Sequence, residues 1–429
     1  MSRAGPNGMV SQILRLGIGR GGAKILSFLS FLLVARALGP SGFGALTFAL
    51  SLGALLAFIP NMGVDPLFSR EVSSGRAEGR ELLGLALTLK GIGGGIFGIV
   101  FLTVLLTTAP EAIGGIGAGA ISAAMILLAI TETWKVALIT GGRAGLSALV
   151  ELLAPCVFLS LTLVVGRAGA TVSTAALSFL AGQAVGATSG FLVVARTLGM
   201  PRRPTEATAY LRIFRMTLPL MLIWFLSDLY LRIDMTILYY LRGSGETGFY
   251  GASYRLVDGV YSAAMVVSAV ALPRMSAAWA RGVTEWRREW RGACRAVLLI
   301  VVPFGAVLLG AAGGLIRLLY GAEFAGAIPS LRLLGPATVV LCLGYVYAAA
   351  LTSIGLVWTQ FWITVASLLG NVVLNLVLIP RFGAAGAAVA TLVSGAGYVG
   401  LAHWSLRRPV GGPVIKGTVG PLPMAGSAE

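Results

Sequence analysis

The stretch WFLSDLYLRIDMTILYYLRGSGETGF, residues 224–249, decides how the chain is read. It is an apolar run of helical length ending in a turn of small residues, yet Asp228, Arg232 and Asp234 lie inside it. Similar runs fill the rest of the chain. Its 429 residues are 57% hydrophobic and 11% charged, against about 25% charged in a soluble domain. At about 20 residues per crossing there is room for roughly a dozen helices. The runs fall near 14–38, 43–63, 82–108, 115–139, 144–166, 174–198, 214–240, 249–273, 295–319, 330–353, 358–380 and 384–406. The sequence therefore predicts an all-α integral membrane protein. The first run is read as a span and not a cleaved leader, because Arg15, Arg20 and Lys24 make that region too basic and too long.

Net charge is +16, which in a soluble protein would point to nucleic acid. Here the basic residues gather between the apolar runs, so orientation in the membrane and attraction to anionic lipid headgroups explain them and no nucleic-acid partner is expected. With the N-terminus placed inside, about 18 basic residues fall on inner segments and about 5 on outer ones, which puts both termini in the cytoplasm. Cys156, Cys294 and Cys342 show no metal spacing, and His403 is the single histidine. A metal centre or histidine-based catalytic site is not expected. Nor is a bound cofactor.

A repeat joins the two halves. Gly39, Ser41, Gly42 and Phe43 in LGPSGFGALTFA are matched by Gly245, Thr247, Gly248 and Phe249 in SGETGFYGASYR, six spans later. An even offset gives both halves one orientation, as in repeats related by an axis along the membrane normal. The expected organisation is a first lobe over 1–199, a basic linker over 200–212, a second lobe over 213–407 and a disordered tail over 408–429.

Five segments in order resemble the polysaccharide biosynthesis proteins, the lipid-linked oligosaccharide flippases of the multidrug/oligosaccharidyl-lipid/polysaccharide (MOP) exporter superfamily. They are FLLVARALGPSGFGALTFALSL, GVDPLFSREV with its Gly-x6-Arg-Glu pattern, LRIDMTILYYLRGSGETGFYGASYRLVDGV, LLYGAEFAGAIPSLRLL and GNVVLNLVLIPRFGAAGAAVATLVS. The resemblance implies about 12 transmembrane helices in two six-helix lobes related by a pseudo-two-fold axis, in the V-shaped MATE-like fold. It also implies alternating access and no enzymatic activity. The implied substrate is an undecaprenyl-diphosphate-linked oligosaccharide, moved from the cytoplasmic to the outer leaflet of a bacterial or archaeal cell membrane. Glycan-assembly enzymes are the implied partners.

Charges inside spans must then serve transport or packing. Arg20 and Lys24 are four apart and share a helix face, with Lys90 at similar depth. Together with Arg255 they are candidates for the diphosphate headgroup, since arginine offers bidentate geometry to phosphate. Snorkelling to inner headgroups is the competing reading. Glu132 and Lys135, at i and i+3, form either a structural pair or a substrate or proton site. Asp228, Arg232, Asp234, Arg255 and Asp258 are expected to form one mixed network facing the cavity. Asp234, with the least obvious partner, is the first choice for coupling to a proton or sodium gradient. Tyr230, Tyr239, Tyr240, Tyr250 and Tyr254 either touch sugar or belong to an interfacial belt.

Two rivals remain. A multidrug and toxin extrusion antiporter on the same fold would want an acidic cavity, which the basic character of the first lobe disfavours. A membrane-embedded glycosyltransferase or polymerase would need catalytic acids on a sizeable outer loop, and the outer loops are short.

Overall fold

A computed structural model of the chain describes residues 6–73, 79–202 and 207–407. The expected tail and residues 203–206 of the expected linker lie outside the described residues. Eleven α-helices run in order: α1 (Pro6–Leu56), α2 (Phe58–Asn61), α3 (Val64–Ser73), α4 (Gly79–Thr108), α5 (Pro110–Thr140), α6 (Ala144–Ala168), α7 (Val172–Thr197), α8 (Ala207–Arg281), α9 (Val283–Leu319), α10 (Ala327–Ser353) and α11 (Val357–Arg407). Because α8 already begins at Ala207, the second half of the expected linker is helical. Hydrocarbon explains the single element type, since only a helix satisfies every backbone donor and acceptor within its own segment.

Nine of the described helices are long and apolar enough to cross a membrane. Three of these fold back on themselves without a loop, so they supply two crossings each and the total is twelve. The reversals occur at Gly39 in α1, Gly243 in α8 and Gly383 in α11, with φ of 66°, 81° and 55°. At Gly39 and Gly243 ψ is 179° and −175°, a region that only glycine enters at little cost. Pro40 follows Gly39 and starts the return limb, where a missing N–H costs nothing.

Helices α1 to α7 pack on one another, as do α8 to α11, and these two groups, termed the first and second lobes, meet chiefly between α1 and α8. At the hairpin tips the two backbones touch. A Cβ at Gly44 would strike the Ser244 carbonyl and the Gly248 nitrogen, and one at Gly248 would strike the Pro40 carbonyl. Such reciprocal contact is what a two-fold axis produces. It pairs Gly39 with Gly243 and Gly44 with Gly248, two residues off the register given by the pentapeptide match. Around this point Phe48 stacks on Tyr239 at 3.8 Å, and the Arg36 guanidinium donates to the Leu318 and Leu319 carbonyls ending α9. The tip end is therefore shut. Both ends of the described chain lie at the opposite end.

Elsewhere small residues set helix spacing, as membrane packing requires. In KGIGGGIFG, Gly93 abuts the Ile59 carbonyl and Gly94 abuts Ile126, so these two serve packing within the chain, whereas Gly91 and Gly95 face open space.

Candidate functional site

In the first lobe, the break between α2 and α3 aims Asp65 at α4. There Lys90 is fully buried, its Nζ 2.7 Å from Asp65 Oδ2 and 2.8 Å from the Ala129 carbonyl. Thr133 donates to the other Asp65 oxygen at 2.9 Å. This corrects the expected role of Lys90. A buried ammonium needs a countercharge and further acceptors, and Lys90 has both, so it does not join Arg20 and Lys24 on one patch.

A second cluster lies nearer the lobe interface. Lys135 sits 2.7 Å from Glu132, the pair at i and i+3, and 3.4 Å from Glu151. Glu151 also faces Arg20 at 3.5 Å, although the Arg20 side chain stays 52% exposed. Lys24, also exposed, reaches across the interface to donate to the Ser262 hydroxyl on α8. A cavity of 170 Å³ runs among Lys24, Glu132, Lys135, Glu151 and Gln183. Glu132 also lines a larger cavity of 420 Å³ between the lobes, with Asn61, Asp65, Thr140 and Asp228. One wall of the interface is therefore cationic and its neighbour acidic.

The five residues expected to form one network in the second lobe stand in different surroundings. Among the described residues no ion pair joins Asp228, Arg232, Asp234, Arg255 and Asp258. Arg255 instead lies over the Phe31 ring of the first lobe, 3.6 Å from its centroid, a cation–π contact that replaces a carboxylate partner. Asp228 lines the interlobe cavity and Asp258 is exposed. Asp234 turns the other way, as its rotation from Arg232 on the helix requires. It is 3% exposed and receives the Tyr250 hydroxyl at 2.5 Å, the Thr391 hydroxyl at 3.4 Å and the Met235 N–H at 2.7 Å.

Beside it, Asn375 donates to Asn371 at 2.8 Å and Asn371 to Ser394 at 3.0 Å. The Asn375 side-chain oxygen is fully buried and has no donor. A buried carboxylate that accepts three donors and makes no ion pair among the described residues suits a proton or a hard cation, which takes oxygen ligands. Tyr250 and Tyr254 are buried in the lobe, so they are not an interfacial belt, whereas Tyr240 is exposed. The sequence does not point to Asp65, Glu151 or Thr391, and it points to Tyr250 only as a sugar contact or belt residue and not as a donor to Asp234. For the first two a signal existed: every intramembrane cation calls for an acid, and few acids are available.

The family profile described as polysaccharide biosynthesis protein matches residues 10–279, and that of lipid II flippase MurJ matches residues 147–419. No curated protein matches the chain. Among solved structures, a multidrug resistance MATE family transporter of the MOP superfamily in an inward-facing conformation superposes with a TM-score of 0.75 at 16% identity, over 89% of this chain and 94% of that one. Lipid II flippase MurJ in an inward closed conformation gives 0.74 at 15% identity, over 91% and 87%. A MOP superfamily transporter from Pyrococcus furiosus, described as having a binding pocket of reverse polarity, gives 0.67 at 18% identity, over 92% and 94%. These likenesses establish the MATE-like fold.

Proposed function

Because the chain belongs to the polysaccharide biosynthesis protein family of the MOP superfamily, we propose that it flips an undecaprenyl-diphosphate-linked oligosaccharide from the cytoplasmic to the outer leaflet of a bacterial or archaeal cell membrane. In this reading both termini are cytoplasmic, glycan-assembly enzymes supply the cargo, and the lobes alternate access to it. One observation carries the proposal. The deep cations Lys90 and Lys135 are neutralised by carboxylates, whereas Arg20 and Lys24 remain exposed at the lobe interface. Lys24, which has no carboxylate partner among the described residues, and the half-exposed Arg20, which shares Glu151 with Lys135, present two cations from one helix face to a diphosphate. The closed hairpin tips leave access at the end where Arg20 lies, which suits loading from the inner leaflet.

The acidic wall made by Asp65, Glu132 and Asp228 favours a second reading, a cation antiporter on the same fold. Binding separates the two. Purified protein is expected to prefer undecaprenyl-diphosphate oligosaccharide over a lipophilic cationic dye, and Arg20→Ala/Lys24→Ala is expected to weaken the lipid about a hundredfold, roughly two charge-assisted contacts. Preference for the dye, indifferent to those cations, would establish the antiporter instead.

Asp234 is the proposed coupling site. Its carboxylate exchanges a proton or a monovalent cation as the lobes change state, with Thr391 and Asn375 as further oxygen ligands. Asp234→Asn is expected to keep lipid binding and to make transport insensitive to both imposed pH and sodium gradients. A variant that still responds to either gradient, measured in proteoliposomes, would exclude Asp234 as the coupling group.

A further inference from the structure

The second lobe contains a further cavity, which adjoins the ion cluster through the Tyr230 and Ser394 hydroxyls, 3.4 Å apart. It measures 210 Å³ and lies among α8, α10 and α11, walled by Tyr230, Tyr261, Tyr345 and Tyr398, with Gln360 and Ser367 at its polar positions. No lining side chain carries a formal charge. Ser367 is the telling residue. It is 5% exposed, and its hydroxyl oxygen is buried without a partner. A serine inside a helix ordinarily returns its proton to the carbonyl four residues back, as Ser30, Ser178 and Ser268 do here. An unpaired buried hydroxyl is costly unless something else fills the site.

The lining narrows the occupant. A lipid chain has no use for hydroxyl and amide groups, and an ion would need a countercharge. A neutral ring with hydroxyls on its rim and C–H groups on its faces fits both the tyrosine walls and the polar groups. The cavity also lies where such a ring would be presented. Ser262, which receives Lys24 across the interface, is the chain neighbour of Tyr261. Lys24 and the cavity thus flank the same stretch of α8, one on its interface side and the other on its α10 and α11 side.

We infer that the cavity is a sugar subsite, holding one pyranose ring near the diphosphate end of the cargo against tyrosine faces, with hydrogen bonds to Ser367 and Gln360. The inference rests on the flippase reading, and its test keeps the two apart. Binding of undecaprenyl-diphosphate oligosaccharide and of bare undecaprenyl diphosphate is compared for wild type, Tyr345→Ala and Ser367→Ala.

Wild type is expected to prefer the glycan-bearing lipid. Tyr345→Ala should lower that affinity about tenfold and Ser367→Ala about fivefold, with bare-lipid affinity unchanged. Variants that bind the glycan lipid as wild type does would overturn the subsite and leave the flippase reading standing. Equal weakening toward both lipids in variants of unchanged melting temperature would overturn it too, because the cavity would then serve the shared lipid portion. Wild type binding neither lipid would sink the flippase reading and the subsite with it. Ser367→Ala removes a single hydroxyl, so the test survives even if Tyr345→Ala unfolds.

Discussion

Asp65→Ala is expected to destabilise the first lobe by about 3–5 kcal/mol, the range for a buried charge deprived of its partner. Lys90 would keep only the Ala129 carbonyl as acceptor, at a position where its side chain has no access to solvent. Water reaching the vacated space from the interlobe cavity, which Asp65 lines, would hydrate the ammonium without supplying a countercharge. The companion substitution decides the cause. Asp65→Leu/Lys90→Met removes both charges while keeping volume, and such replacements are often neutral or stabilising. The double variant should therefore recover most of the loss seen in Asp65→Ala. Melting of the detergent-purified proteins, followed by tryptophan fluorescence, reads both. An Asp65→Ala protein that melts like wild type would show that the pair contributes nothing to the fold.

Gly44→Val is expected to abolish transport with little loss of folded protein. The added atoms would enter the space of the Ser244 carbonyl and the Gly248 nitrogen, which are backbone and cannot rotate aside. The lobes must part at the hairpin tips. Overpacking of this kind costs about 1–3 kcal/mol, enough to shift a closed-to-open equilibrium by about 5- to 150-fold. Gly248→Val should act alike, because the contact is reciprocal. Gly245 provides the control, since a Cβ there meets only the Ser41 hydroxyl at 3.6 Å, so Gly245→Ala should transport normally. Distances between spin labels on the two tips would lengthen in the valine variants alone. Unchanged distances with transport lost would mean that the tips are not the closing contact.

What the sequence discloses depends on the range of each interaction. Twelve crossings are legible because hydrophobic length is a local property, and the Glu132–Lys135 pair because i, i+3 spacing is too. The buried charges of residues 224–249 were read as a single network because spacing along one helix ranks only neighbours on that helix. Asp65 is 25 residues from Lys90, and Asp234 is 157 from Thr391. Such distances are bridged by packing, which no local spacing encodes. The repeat shows an intermediate case. Composition identified which hairpins correspond, but the residue match aligned Gly39 with Gly245. Contact between backbones depends on where each chain lacks a Cβ opposite its partner's carbonyl, and that criterion moved the register by two.

The hairpin contact also determines which surroundings can influence the transporter. At the tips the lobes are held by glycine against carbonyl, by aromatic stacking, and by an arginine that never loses its proton. Two carboxylates lie near the tips, Glu323 beside Gly39 and Glu246 beside Gly383, while the backbone contacts are too short for salt to screen. The opposite end carries Arg20, Lys24, Glu132 and Asp228, groups whose attractions respond to ionic strength. In the proposed orientation, with the termini in the cytoplasm, the medium that the cell regulates meets the responsive end. The changeable medium outside meets a seal made mainly of backbone and aromatic contacts.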